Sequence, residues 1–437
     1  MTATTASDKE ESVSVQQQQH DSSGFTDADW ELDRASVRRL DITVLPIAAI
    51  AYLLSFLDRS NLLLKKVGAH IMLPAMVTLW GICTSFVSSY SGLIVARLFL
   101  GLLEGGLFPG LVLFLSMFYR RHELQTRVSL FFGAASLSGA FSGLLAAALT
   151  NISTPNYPGW TWIFFVEGAF TFFFGIFMFF TLPRSPAHSI FLNAEQKAHV
   201  ERRLKLDAPA GASNDFDNAF SWQHFRRACT SPHVLLLLVA LFANGVTLYG
   251  FSYFTPVIVS TFGYTPVQTQ LLTVPPFVCA FLITMINAVL SDRYGQRGLC
   301  TILMSFLALA GYIMFYESMA TAVRYTSLFL AITGVYSTAP ALVTWLPNNS
   351  APHYTKATAV AFGFVMTNCG GIAVNSRATE VLIAMTCLIV VTCALNIVYL
   401  RRQNRKKAER REATGGVVDA STWNSEGDAH PHYIYTL

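Results

Sequence analysis

Leu290-Ser291-Asp292-Arg293-Tyr294-Gly295-Gln296-Arg297 is a short charged loop set between two long apolar runs, 267–290 and 299–316. An earlier stretch matches its first six positions. Leu63-Leu64-Lys65-Lys66-Val67-Gly68 reads, like it, as apolar, any, charged, basic, any, glycine, and it also leads into a new apolar run. A loop recurring at corresponding places in two parts of a hydrophobic chain is the mark of duplicated membrane halves. About 20 apolar residues cross a bilayer core. The chain holds about eleven such runs, at 42–57, 71–89, 92–118, 128–150, 161–182, 233–262, 267–290, 299–316, 325–346, 357–375 and 380–400. In lipid these must be helices, because only a helix satisfies its own backbone there. The expected class is therefore all-α and integral to the membrane.

Composition agrees. Of 437 residues, 53% are hydrophobic and 13% charged, about half the charge of a soluble domain. The 30 Lys and Arg residues are scattered in short loops and form no stripe, which excludes nucleic acid as a partner. The cysteines Cys83, Cys279, Cys369, Cys387 and Cys393 fall in or beside apolar runs and read as packing residues, without disulfide or metal-ligand spacing. None of the ten His lies deep in a run, so a membrane enzyme built on paired-His haem or metal chemistry lacks ligands. No cofactor or metal is expected.

Residues 1–35, rich in Ser, Thr, Gln and Asp, read as a disordered tail. A first bundle is expected over 36–182, a polar middle loop over 183–231, a second bundle over 232–400 and a basic tail over 401–437. Within the loop, Asn193 with Gln196 three residues on predicts a capped surface helix running to Leu206. Loops rich in Lys and Arg alternate with poor ones from residue 65 onward, so the positive-inside rule puts Lys65-Lys66, Arg120-Arg121, the middle loop, Asp292–Arg297 and both tails in the cytoplasm. The start of the chain conflicts with this, because only one run separates the basic segment Arg34–Arg39 from Lys65. From His233 to Asp292 is 59 residues and from Ile42 to Lys65 is 23; the difference of 36 is about one span with its loop. The first half is thus expected to lack its second helix, with the join near Ser60-Asn61.

These features resemble the major facilitator superfamily, whose signature loop is similar to Leu290–Arg297 and whose proton-coupled members carry a fourth-helix motif similar to Arg97-Leu-Phe-Leu-Gly101 with Gly105. The stretches Ser55-Phe-Leu-Asp-Arg-Ser-Asn61, Arg97–Gly110, Trp162-Ile-Phe-Phe-Val-Glu167-Gly, Leu182-Pro-Arg-Ser-Pro186 and Trp345-Leu-Pro-Asn-Asn349 are similar to the fungal anion:cation symporters, the allantoate and vitamin permease group. The resemblance implies two pseudo-symmetric bundles with twelve spans, of which about eleven are present here. It implies a monomeric plasma-membrane carrier moving a small organic anion with protons by alternating access. The chain departs from the group at the missing helix and in the few residues, Ala373 to Thr379, that join Gly370-Gly371 to the last span. A defective splice or gene-model variant, or a relative that does not transport, is the alternative.

Charge within a span costs about 2.5–3.5 kcal/mol even on the lenient scale, which marks Arg97, Glu104 and Glu167, with Asp58 and Arg59 at the end of the first run. Arg97 and Glu104 lie two turns apart on one face, where a carboxylate could take up the coupling proton; a structural ion pair is the competing reading. Asn244, Tyr249 and Tyr253 fall on the first span of the second half, where Gly245, Gly250 and Pro256 would let a helix bend around a central site. Asn368 precedes Cys369-Gly370-Gly371, and interhelical packing is the alternative for it and for the tyrosines. Lys65, Lys66, Gly68, Asp292, Arg293, Gly295 and Arg297 are expected to form a gating loop.

Overall fold

The computed structural model describes residues 123–149, 159–181, 186–189, 191–207, 222–351, 353–372, 378–413, 427–431 and 433–437, with isolated positions at 35, 38, 111–112, 114–115, 118–120 and 183. Every regular element among them is helical. Two helices belong to the first half, α1 (Leu124–Leu149) and α2 (Gly159–Thr181). The middle loop carries α3 (Ala194–Asp207) and α4 (Trp222–Thr230). The second half supplies α5 (Pro232–Ser260), α6 (Pro266–Tyr294), α7 (Arg297–Glu317), α8 (Thr321–Asn348), α9 (His353–Ile372) and α10 (Ala378–Ala413). These six correspond to the six apolar runs read from the sequence after residue 232. Five of the described helices are long and apolar enough to cross a membrane. The runs at 42–57 and 71–89, most of 92–118 and the join near Ser60 lie outside the described residues.

Local chemistry sets the helix ends. Thr265 Oγ1 accepts from Gln268 N–H at 3.4 Å while Gln268 Oε1 accepts from Thr265 N–H at 3.2 Å, a capping box at the head of α6, with Pro266 in the first turn. At the other end Gly295 adopts φ 64°, which lets the chain reverse and start α7 at Arg297. The expected surface helix is α3, and Gln196 Oε1 accepts from Asn193 N–H at 3.2 Å.

Packing sorts the spans into lipid-facing and enclosed. α8 is buried all round from Ala331 to Asn348. α2 exposes Phe170, Phe173, Phe177 and Phe180 along one face, and α6 and α7 expose Leu282, Ile286, Leu303 and Phe306; apolar side chains left outside a packed bundle fit lipid as their solvent. α7 packs along α8, α1 along α6, and α5 lies against α9 and α10. One apolar cluster joins Phe118, Val128 and Phe131 of the first half to Leu342, Trp345 and Leu346 of α8.

Glycines set the closest crossings. A Cβ on Gly245 of α5 would overlap the Thr367 carbonyl of α9, and one on Gly370 would overlap the Phe242 carbonyl. Gly311 and Gly334 do the same for α7 and α8, against Ala331 and Ala308. α5 is continuous through Gly245, Gly250 and Pro256. The missing side chain of Gly245 serves the approach of α9.

α10 has 36 residues, about 54 Å of helix against a hydrocarbon core of about 30 Å. Its basic part, Arg401 to Ala413, therefore stands beyond the hydrocarbon core as helix. Residues 427–437 then return to the bundle end. Tyr433 Oη donates to the Asn348 carbonyl at 2.6 Å, Trp345 Nε1 and Asn349 Nδ2 both donate to the Thr436 carbonyl at 2.9 Å, and Arg297 N–H donates to the Leu437 carbonyl at 2.6 Å.

Replacing Gly370 by Val should cost at least about 1–3 kcal/mol of overpacking, read as a lowered Tm of the detergent-purified protein. Gly363→Ala should be milder, because its Cβ meets only the side-chain ends of Leu241 and Leu346 at 2.9 Å.

Candidate functional site

Where α5 and α9 cross at Gly245 and Gly370, three of the expected polar residues come together. Tyr249 Oη donates to Asn368 Oδ1 at 3.1 Å, and the tyrosine ring lies against Gly371, where a Cβ would sit 2.5 Å from it. Tyr249 is buried while Asn368 is exposed, so the pair runs from the α5–α9 seam outward. One turn back on α5, Asn244 is 1% exposed, and neither its Oδ1 nor its Nδ2 has a hydrogen-bond partner among the described residues. A buried amide without partners costs about 1–3 kcal/mol, so this position is suited to a group that arrives from elsewhere. Asn396 on α10 has the same property and was not singled out in the sequence; it is the one asparagine of the 380–400 run, and that was its signal. Tyr253 lies on α5, but its side chain is outside the described residues, as is that of Glu167 on α2. Asp58, Arg59, Lys65, Lys66, Gly68, Arg97 and Glu104 lie outside them entirely.

The loop that opened the sequence reading forms a second polar centre. Asp292, at the end of α6, accepts at Oδ2 from the Thr126 N–H at 2.7 Å and the Thr126 hydroxyl at 2.6 Å, both in the first turn of α1. Its Oδ1 faces Arg297 Nη2 at 3.3 Å. Arg297 is 2% exposed and its Nη1 donates to the Thr344 carbonyl of α8 at 3.2 Å. Beside them Ser291 Oγ donates to Gln125 Oε1 at 2.7 Å. A carboxylate at a helix N-terminus meets both unpaired N–H groups and the positive end of the dipole. The last turn of α6, in the second half, is therefore bonded to the first turn of α1, in the first. Arg293 is exposed at the C-terminal end of α6 and Gly295 supplies the reversal. Asp292, Arg297 and Gly295 thus act at one junction, with Arg293 on its solvent side.

A neighbouring ion pair has no signal in the sequence. Arg203 of α3 is fully buried and donates through Nη2 and Nη1 to both oxygens of Glu123, at 2.6 and 3.2 Å, which ties the middle loop to the head of α1. Among the described residues no group of His, Cys, Asp and Glu could hold a metal ion.

The profile of the Major Facilitator Superfamily matches residues 43–375. The chain belongs to this superfamily. An uncharacterized transporter of Schizosaccharomyces pombe is 33% identical, over 91% of this chain and 89% of its own length. The high-affinity nicotinic acid transporter of Saccharomyces cerevisiae is 26% identical, over 89% of this chain and 82% of its own. Among solved structures, a double-tryptophan mutant of the symporter XylE superposes with a TM-score of 0.62 at 14% identity, covering 84% of this chain and 91% of that one. That likeness shows the superfamily fold. The S. pombe alignment spans 451 positions yet takes in only 91% of these 437 residues, about 398, so about fifty residues of the relative have no counterpart in this chain.

Asp292→Asn should weaken the charge-assisted bonds across the α6–α1 junction by about 1 kcal/mol or more. Thiol labels placed at the start of α1 and the end of α6 should then show a wider distance distribution by spin-echo spectroscopy, with the helical content unchanged.

Proposed function

We propose that this chain is a secondary active transporter carrying a small organic anion, a vitamin-type carboxylate, together with protons. The observation that carries this reading is the Asp292 junction. It joins the two halves at the bundle end that holds the most cationic loops, through bonds that must break if the halves are to rock apart. On the positive-inside rule that end is cytoplasmic, and the bonded arrangement described here is the one closed toward the cytoplasm. Arg293, Gly295 and Arg297 of this loop, with Lys65, Lys66 and Gly68 of its earlier copy, act as the gate. The path for substrate and proton runs between Asp58, Arg59, Arg97, Glu104 and Glu167 of the first half and Asn244, Tyr249, Tyr253 and Asn368 of the second.

An arginine is a planar partner for a carboxylate, and a buried carboxylate near it would titrate between the two access states. The relative named a nicotinic acid transporter supports an aromatic monocarboxylate as the first substrate to try. The carrier is placed in the plasma membrane and acts as a monomer, without a cofactor.

A second reading has its own observation. About fifty residues present in a full-length relative are missing here, which fits a first half short of its second helix and a chain that does not transport in this form. Uptake of labelled nicotinate by yeast lacking its own nicotinic acid transporter separates the two. The first reading expects uptake by this chain that a protonophore abolishes, that Arg97→Ala removes, and whose KM rises about fivefold with Asn244→Ala, the worth of one hydrogen bond. Uptake seen only after a helix is restored between Ser60 and Asn61 establishes the second.

A further inference from the structure

Beyond the transport path, the basic extension of α10, the head of α5, α4 and the returning tail enclose a cavity of about 160 Å3. Arg227, Lys406, Lys407 and Arg410 line it with a single carboxylate, that of Asp428. Ser231, Pro232 and His233, the start of α5, form part of its wall, and Ser231 gives that helix no side-chain cap. The positive end of a 29-residue helix therefore opens onto the same space. His233 is 2% exposed, and its Nε2 has no hydrogen-bond partner among the described residues.

The tail already shows how this cavity treats an anion. Asp428 Oδ1 lies 3.0 Å from Arg227 Nε, and Oδ2 lies 3.7 Å from His233 Nε2 and accepts from Tyr435 Oη at 3.2 Å. Burial, with the Asp428 carboxylate beside it, pushes the Tyr435 phenol above its ordinary value, so it stays a donor. Lys407 Nζ donates to the carbonyls of Asp428 and Tyr433 and stands 3.6 Å from the centre of the Tyr435 ring. Burial lowers the pKa of the Lys407 ammonium to about 7, and Arg227, Lys406 and Arg410 against the one lining carboxylate still leave a net positive site.

The cavity lies beyond the apolar part of α10. Lys406 and Lys407 are about two turns, some 10 Å, past the last apolar turn of α10, and Trp222 of α4 is 72% exposed, with its ring edge-on to Phe225, as suits an aromatic at the headgroup level.

We propose that this cavity binds a phosphate-bearing anion, with Asp428 as the built-in competitor for the site. A phosphate carries more charge and more acceptor oxygens than the carboxylate it displaces, and Arg227 and Arg410 offer it forked donors. Displacing Asp428 would also loosen residues 427–437, which are bonded to the Arg297 end of α7 and to α8. The ligand is either a lipid headgroup phosphate or free phosphate.

The test uses the full chain in nanodiscs. One arm titrates phosphatidylcholine discs with inorganic phosphate, read by calorimetry. The other dopes the discs with phosphatidic acid and counts retained lipid by native mass spectrometry. Binding in either arm names the source. It should weaken about tenfold in Arg227→Gln and in Lys406→Gln or Arg410→Gln, whose positions are exposed and outside the core, and it should tighten in Asp428→Asn. Absence of binding in both arms overturns the proposal. So does binding that Asp428→Asn leaves unchanged in a protein whose melting curve shows it folded, because the anion would then sit elsewhere.

Discussion

A peptide group left unpaired in hydrocarbon costs several kcal/mol, and this chain is organised around avoiding that cost. Each span closes its own hydrogen bonds, so the helices have little left with which to choose one another. What remains is the closeness of approach and a few polar side chains. At the α5–α9 crossing both are used. Gly245 and Gly370 let backbone meet backbone, and a side-chain bond, Tyr249 to Asn368, spans the same seam. The α7–α8 crossing uses Gly311 and Gly334, where dispersion between close surfaces carries the contact, with Arg297 bonded to the Thr344 carbonyl at one end.

At the helix ends, charged groups make the contacts that cross between parts of the chain. Asp292 caps the head of α1, Arg203 holds Glu123, and the tail's Asp428 sits among Arg227, Lys407 and His233. All three join segments far apart in sequence. The bundle interiors are apolar and largely indifferent to small displacements, whereas these end contacts are either made or broken. A transporter of this superfamily that alternates between two access states needs discrete contacts of this kind.

The sequence made part of this legible. The charged loop at Leu290–Arg297 and its earlier copy pointed to two halves, and the superfamily match over 43–375 bears that reading out. The six apolar runs after residue 232 became α5 to α10. Asn193 and Gln196 marked the head of α3. Gly245 stood out as unusual, but its closeness to α9 did not, because a glycine in a helix looks the same whether it permits a bend or a close neighbour. Only the position of Thr367 distinguishes the two. Asn396 was passed over, since one asparagine in an apolar run does not reveal which way it faces.

By itself, then, the sequence determined that the chain is helical, that it lies in a membrane, and where the second-half spans begin and end, because helix existence in lipid depends on local length and hydropathy. It also determined which loops carry charge. The tertiary structure alone decided that Asp292 meets Thr126, 166 positions away, that Tyr249 reaches Asn368, and that residues 427–437 come back to close over Trp345 and Arg297. Those contacts depend on the order in which near-equivalent apolar cylinders pack. That order is set by shape at a few small residues and by charges at the helix ends, which no local window of sequence contains.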